Sequence, residues 1–162
     1  MALTSAQLTQ LKNVALADPT GAALLAAQND TDLAKWFNDT AVPDFWAYRR
    51  NINSNEIGTT VNYVAVAAMT TANLERVNNF LNMNKTAFIG RDDIKTFLLD
   101  TFSGALGGQG QATRDALDAM LRRLVNRYER TFATGTGSTA SPGALVEEGT
   151  INTDIAAAIR NA

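Results

Sequence analysis

The side chains in this sequence that can do chemistry are carboxylates, arginines, a few lysines and tyrosines, and hydroxyls, because cysteine and histidine are both absent. Those two absences remove thiol nucleophiles, disulfides, Cys/His zinc sites, Ser-His-Asp triads and histidine acid–base catalysis. Carboxylate catalysis of the glycosidase kind needs two acids about 5 to 10 Å apart, one of them in a pocket that raises its pKa. Before residue 134 the glutamates are Glu56, Glu75 and Glu129, each on a different expected element with no signature around it. Asp92-Asp93 reads as a pair of acids favoured by a helix dipole, and no D-x-[DN]-x-[DN]-G calcium loop occurs. The run GALGGQGQ at 104–111 lacks the Gly-Lys-Ser/Thr of a phosphate loop, and no lysine follows Lys95. It reads as a connector between helices. The expectation is a protein that is not an enzyme and uses no cofactor or metal.

Arginine is the remaining chemistry, outnumbering lysine ten to four. Over 112–133 the apolar residues Leu117, Met120, Leu121, Leu124, Tyr128 and Phe132 fall within about 120° of one another at 100° per residue. Arg123, Arg127 and Arg130 cluster opposite. Two readings stay open for this triplet. One is a solvated helix back with ion pairs to Asp118 and Glu129; the other is a charged interface toward a neighbouring subunit's acids or toward DNA. The net charge of −2 and a pI near 5.1 argue against a protein whose main task is coating nucleic acid.

The elements that must position these groups read as helices. The 162 residues suit one domain, 46% of them are apolar, and no apolar run approaches the roughly 20 residues that span a bilayer. The expected protein is soluble, without membrane contact, and no signal peptide is legible at MALTSAQLTQLKN. Thr4 and Gln7 form a capping box, with Leu3 and Leu8 as a hydrophobic staple, and predict a helix over Ser5–Ala17 that ends at Asp18-Pro19. Three short helices are expected at Gly21–Gln28, Asp32–Asn38 and Pro43–Arg50, the last from Pro43 at a first helical position. Trp36, Phe37, Phe45, Trp46 and Tyr48 within them read as core aromatics.

The polar stretch 51–63 reads as a connector with one turn at Ser54–Gly58, followed by a short buried helix near Val61–Ala68, although Val61-x-Tyr63-Val64-x-Val66 also fits a strand. Further helices are expected at Ala72–Met83, closed by Asn82 and Asn84, and at Arg91–Ser103, ended by Gly104. The helix over 112–133 is the longest expected. Past Phe132 the composition changes to ATGTGSTASPGALVEEGTINTDIAAAIRNA. Residues 134–143 read as a flexible linker, 144–151 as a strand-like piece, and Thr153–Arg160 as a last helix capped by Asn152 or Thr153. Two outcomes stay open for this apolar segment, with Leu145, Val146, Ile151, Ile155 and Ile159 as its docking side chains. It folds back on its own domain, or it adds to another chain. The expected architecture is all-α, a small bundle of about five to seven helices at 1–133 that folds alone, with an extended C-terminal docking arm at 134–162.

Two segments, NDTDLAKWFNDTAVPDFWAYRRNI and RRLVNRYERTFATGTGSTASPGALVEEGTI, resemble a family of small virion structural proteins of tailed bacteriophages. The resemblance rests on Asp-Leu-Ala-x-Trp-Phe/Tyr-Asn, on Pro-x-Phe-Trp-x-x-Arg and on Ala-Thr-Gly-Thr-Gly-Ser/Thr-x-Ala-x-Pro. Among virion roles it implies a head-to-tail connector, the adaptor or neck class. Such a protein repeats as a homo-oligomeric ring beneath the portal, contacts the portal protein and neighbouring neck or tail proteins, and joins capsid to tail. The implied location is the virion, after assembly in the host cytoplasm, with non-specific contact to packaged DNA as an accompanying expectation. A head decoration or minor tail protein, and a DNA-contacting regulator using Arg123, Arg127 and Arg130, are the alternatives.

Overall fold

Local capping chemistry sets the first helices of the computed structural model, which describes residues 3–83, 86–87, 92–102 and 106–162. Helix α1 spans Ser5–Ala17. The Gln7 amide donates to Thr4 Oγ1 at 3.3 Å, and the Gln7 side-chain oxygen accepts from the Thr4 amide at 2.9 Å. Asp18 ends α1 and caps α2 (Pro19–Ala26), its Oδ1 accepting from Thr20 N at 2.8 Å. Gly21 lies where a Cβ would come within 2.6 Å of the Ala15 carbonyl oxygen, so the missing side chain lets α2 pack closely on α1. Asn29 caps α3 (Asp30–Asn38), which buries Leu33, Ala34, Trp36 and Phe37.

The chain divides into two compact units, Met1–Ala47 with Leu124–Ala162, and Tyr48–Arg123. In the first, α1 to α3 pack with α9 (Arg127–Phe132) and α10 (Thr153–Asn161). Their common core holds Leu11, Ala15, Leu33, Phe37, Ala156 and Ile159, with Leu3 and Leu8 against it as the staple requires. Ala41, Ala47, Val125 and Leu145 form a smaller buried cluster.

The second unit begins with β2 (Ile52–Asn53), which pairs antiparallel with β3 (Thr86–Ala87) in the register Ile52 to Ala87. Its helices are α4 (Ser54–Thr60), α5 (Tyr63–Ala67), α6 (Thr71–Met83), α7 (Asp92–Thr101) and α8 (Gly108–Leu121). They enclose Ile52, Ile57, Leu98, Phe102, Leu117 and Leu121. The expected connector at 51–63 is therefore mostly helix, because Asn53 and Glu56 make a second capping box at α4. Gly108 opens α8 behind Gly107 at φ +77°, so much of the expected glycine connector is a helix start. Asn84, Arg91, Ser103 and Gly104, expected at helix ends, lie outside the described residues.

The all-α expectation is corrected. Ten helices occur among the described residues, beyond the five to seven expected, together with short strands. Strands β4 (Arg122–Leu124), β1 (Trp46–Tyr48) and β5 (Gly143–Ala144) form a three-stranded sheet in that order. Strand β1 replaces the helix expected at Pro43–Arg50. The Phe45 carbonyl accepts from Val125 N at 3.1 Å, and Trp46 N donates to the Gly137 carbonyl at 2.7 Å. Aromatic side chains suit a half-buried strand as well as a helix, and these distant partners decide between them.

The long helix expected over 112–133 is also corrected, since α8 stops at Leu121 and α9 starts at Arg127. Asn126 is extended at φ −83°, ψ 172° and caps α9 through a third box with Glu129. A residue that caps a helix does not continue one.

The C-terminal segment is no extended arm. Residues 124–162 belong to the first unit, whose division from the rest of the chain falls at Ala47 and Leu124 and not at residue 134. Thr134 and Ala144 exchange backbone hydrogen bonds, both at 3.0 Å. Helix α10 lies on α1 and α3 because Ala156 and Ile159 fill the core between them. Asn38 fixes the approach to α10, its side chain donating to the Ile151 carbonyl at 2.8 Å and accepting from the Ile151 amide at 2.9 Å.

Candidate partner interface

Helix α9 is only six residues long, yet it carries Arg127 and Arg130 three residues apart, which puts them on one face. Arg127 Nη1 donates to the Trp36 carbonyl at 2.8 Å, and its guanidinium carbon stands 4.9 Å from the centroid of the Trp36 ring. The same nitrogen is 3.9 Å from Asp39 Oδ2. Arg130 Nη1 donates to the Pro43 carbonyl at 3.0 Å, with the guanidinium 6.0 Å from the Phe45 ring centroid. Each arginine is thus held by one carbonyl and one aromatic face. That arrangement immobilises a planar cation better than it would a lysine.

Phe45 is held from behind by glycine. A Cβ at Gly137, where φ is +68°, would overlap the Phe45 ring, and one at Gly143 would stand 2.6 Å from Phe45 Cε1. Gly137 of the Ala-Thr-Gly-Thr-Gly stretch and Gly143 beyond it give the ring room to lie against backbone. Trp36, Phe45, Arg127, Arg130 and Gly137 come from three separate stretches of sequence and meet in the first unit.

A cavity of about 340 Å³ opens beside Trp36, lined also by Val14, Ala17, Asp18, Val42, Arg127 and Arg130. Val42 is 74% exposed at it. Asp18 is the acid of the lining, and its Oδ1 is occupied by the amides of Thr20 and Gly21.

Arg123 is not part of this group. It lies half-buried in β4 within the second unit, so the triplet expected on one helix face is reduced to Arg127 and Arg130. The expected docking side chains are used internally. Ile151 and Ile159 are buried in the core of α1, α3 and α10, Ile155 packs at its edge, and Leu145 is buried with Ala47 and Val125. Val146 is 55% exposed.

The carboxylates weighed for catalysis have structural partners or face solvent. Glu56 accepts from the Asn53 amide, which lowers its pKa, and lies 3.2 Å from Arg49 Nη2. Glu129 is buried as the cap partner of Asn126, and Glu75 is exposed on α6. Burial raises the pKa of the Tyr128 hydroxyl, with the charges of Glu147 and Glu129 adding to the effect. Among the described residues no three His, Cys, Asp or Glu side chains gather to hold a metal ion, and no helix is long and apolar enough to cross a membrane. The chain matches no protein-family model, no curated protein and no solved structure.

Proposed function

We propose that this chain is a non-enzymatic assembly protein of a tailed-bacteriophage virion, a head-to-tail connector that works as a ring of copies beneath the portal. Its partners in this reading are the portal protein, neighbouring neck or tail proteins and further copies of itself, and its location is the head-to-tail junction. One observation supports the reading most. The three motifs that carry the phage resemblance supply Trp36, Phe45 and Gly137; Trp36 lines a cavity with Arg127 and Arg130, and Phe45, backed by Gly137, lies against the Arg130 guanidinium. Rigid aromatic and arginine side chains are the types enriched at protein interfaces. The docking surface is accordingly this folded face, because the C-terminal segment is occupied in its own core. A symmetric ring repeats one such contact at every step.

The test is to image the protein in purified virions and to measure the mass of the isolated protein in solution. Density for several symmetric copies between portal and tail supports the reading. A single asymmetric copy per particle, or absence from the virion, overturns it.

A further inference from the structure

We propose that the cavity beside Trp36 binds a carboxylate carried next to an aliphatic or aromatic side chain, as a partner protein presents it at an Asp or Glu flanked by an apolar residue. The inference rests on the connector reading for the partner's identity and on the cavity alone for its chemistry.

Both arginines have donors left over. A guanidinium has five N–H groups in a rigid fork. Arg127 and Arg130 each direct Nη1 to a backbone carbonyl, and the Nε and Nη2 groups of both have no hydrogen-bonding partner among the described residues. The arginines are already fixed, Arg127 by Trp36 and Arg130 by Pro43 and Phe45, so little side-chain freedom is lost when an anion arrives. A carboxylate matches the fork with two acceptor oxygens and makes charge-assisted hydrogen bonds.

The walls select what is attached to that carboxylate. Val14, Ala17, Val42 and the Trp36 ring give one side of the cavity an apolar lining, which a bare phosphate or a nucleic-acid backbone does not use. The volume of about 340 Å³ is near the lower end of ligand pockets and suits one or two side chains. Asp18 in the lining and Asp39 near Arg127 offset part of the positive charge. With two carboxylates already facing the two guanidinium groups, the site gains less from a second negative charge than from the first and disfavours a dianion.

The experiment uses the full chain labelled with ¹⁵N and titrates it with hexanoate, with hexan-1-ol and with inorganic phosphate. Hexanoate is expected to shift the Trp36 indole N–H and the Arg127 and Arg130 Nε–H resonances saturably, with a Kd on the order of 1 to 10 mM for a fragment of this size. Hexan-1-ol and phosphate are expected to bind at least about fivefold more weakly, lacking respectively the charge and the apolar body. Arg130→Gln is expected to weaken hexanoate by about fivefold to tenfold. Val42→Asp, at a residue that contributes no core contact, is expected to do the same by placing a competing carboxylate at the rim while leaving the rest of the spectrum unchanged.

No saturable hexanoate shift at Trp36 overturns the inference, as does equal or tighter binding of phosphate, which would mark a site for phosphate-bearing partners. Unaltered hexanoate affinity in both variants overturns it too. The binding experiment and virion imaging fail independently, since an absent ring leaves fragment binding to be measured and an empty cavity leaves the ring to be seen.

Discussion

Glu129 holds Gly149 across twenty residues of sequence, its buried carboxylate accepting from the Gly149 amide at 2.8 Å. Its cap partner Asn126 takes the other side of the same residue, Nδ2 donating to the Gly149 carbonyl at 2.8 Å. The third capping box is therefore also a clamp that closes the loop before α10 onto α9. Gly149 meets the clamp at φ +137°, a backbone conformation that favours glycine.

Replacing Glu129 with alanine removes acceptors from a buried cap and leaves the Gly149 amide without its partner. Loss of hydrogen bonds to a charged buried group is expected to cost about 2 to 3 kcal/mol. Glu129→Gln retains acceptor capacity and is expected to cost less. Urea unfolding at neutral pH measures both; a loss under about 0.5 kcal/mol for the alanine variant would show that the clamp carries no stability.

Gly137→Ala combines a positive φ with overlap on the Phe45 ring. Strain and overpacking together are expected to cost about 2 to 4 kcal/mol. In the double variant with Phe45→Ala the overlap is gone, so the two costs add to more than the double variant shows. A double-mutant cycle by thermal unfolding reads this, and simple additivity would disprove the contact.

Cutting the chain after Asn152 removes Ile155, Ala156 and Ile159 from the core of the first unit. That truncation is expected to unfold the unit, and Ile159→Ala alone to cost about 2 to 5 kcal/mol. Near-ultraviolet circular dichroism follows both. A truncated protein that keeps the native signal and melting temperature would restore the C-terminal segment to a detachable role.

The Asp30 carboxylate is held below its ordinary pKa, chiefly by the hydrogen bond from Arg160 Nε at 2.9 Å. A depressed folded pKa contributes stability above the unfolded value, and that contribution is lost as pH falls through the folded value. Asp30→Asn is therefore expected to lower the melting temperature at pH 7, with the difference from wild type shrinking once the pH drops below about 4. A difference that stays constant down to about pH 2 would contradict the linkage.

Helices α1 and α10 were legible because their signals are local, Thr4-x-x-Gln7 and Asn152 each acting within one turn. Helices α2 and α3 begin two residues earlier than expected, since Asp18 both ends α1 and caps α2, and Asn29 caps α3. The break between α8 and α9 carried a local signal too, Asn126-x-x-Glu129. The helical spacing of Leu121, Leu124, Tyr128 and Phe132 runs straight through it and hides the cap. Strand β1 had no such signal, since its partners Val125 and Gly137 lie some eighty to ninety residues away and only they decide against a helix. The cluster around the cavity was half visible. Arg127 and Arg130 stood out by charge, whereas Trp36 and Phe45 read as ordinary core until the fold set the arginines on them.

The first unit is assembled from residues 3–47 and 124–162, with all of Tyr48–Arg123 coming between them in the chain. Emerging from a ribosome at about 5 to 20 residues per second, the N-terminal piece waits roughly 4 to 15 s for its complement. During that interval Leu11, Leu33 and Phe37, all fully buried in the finished protein, have neither α9 nor α10 to cover them. The Tyr48–Arg123 unit is continuous and suffers no such delay. Synthesis therefore completes the inserted unit first, although the other unit is the one that begins the chain.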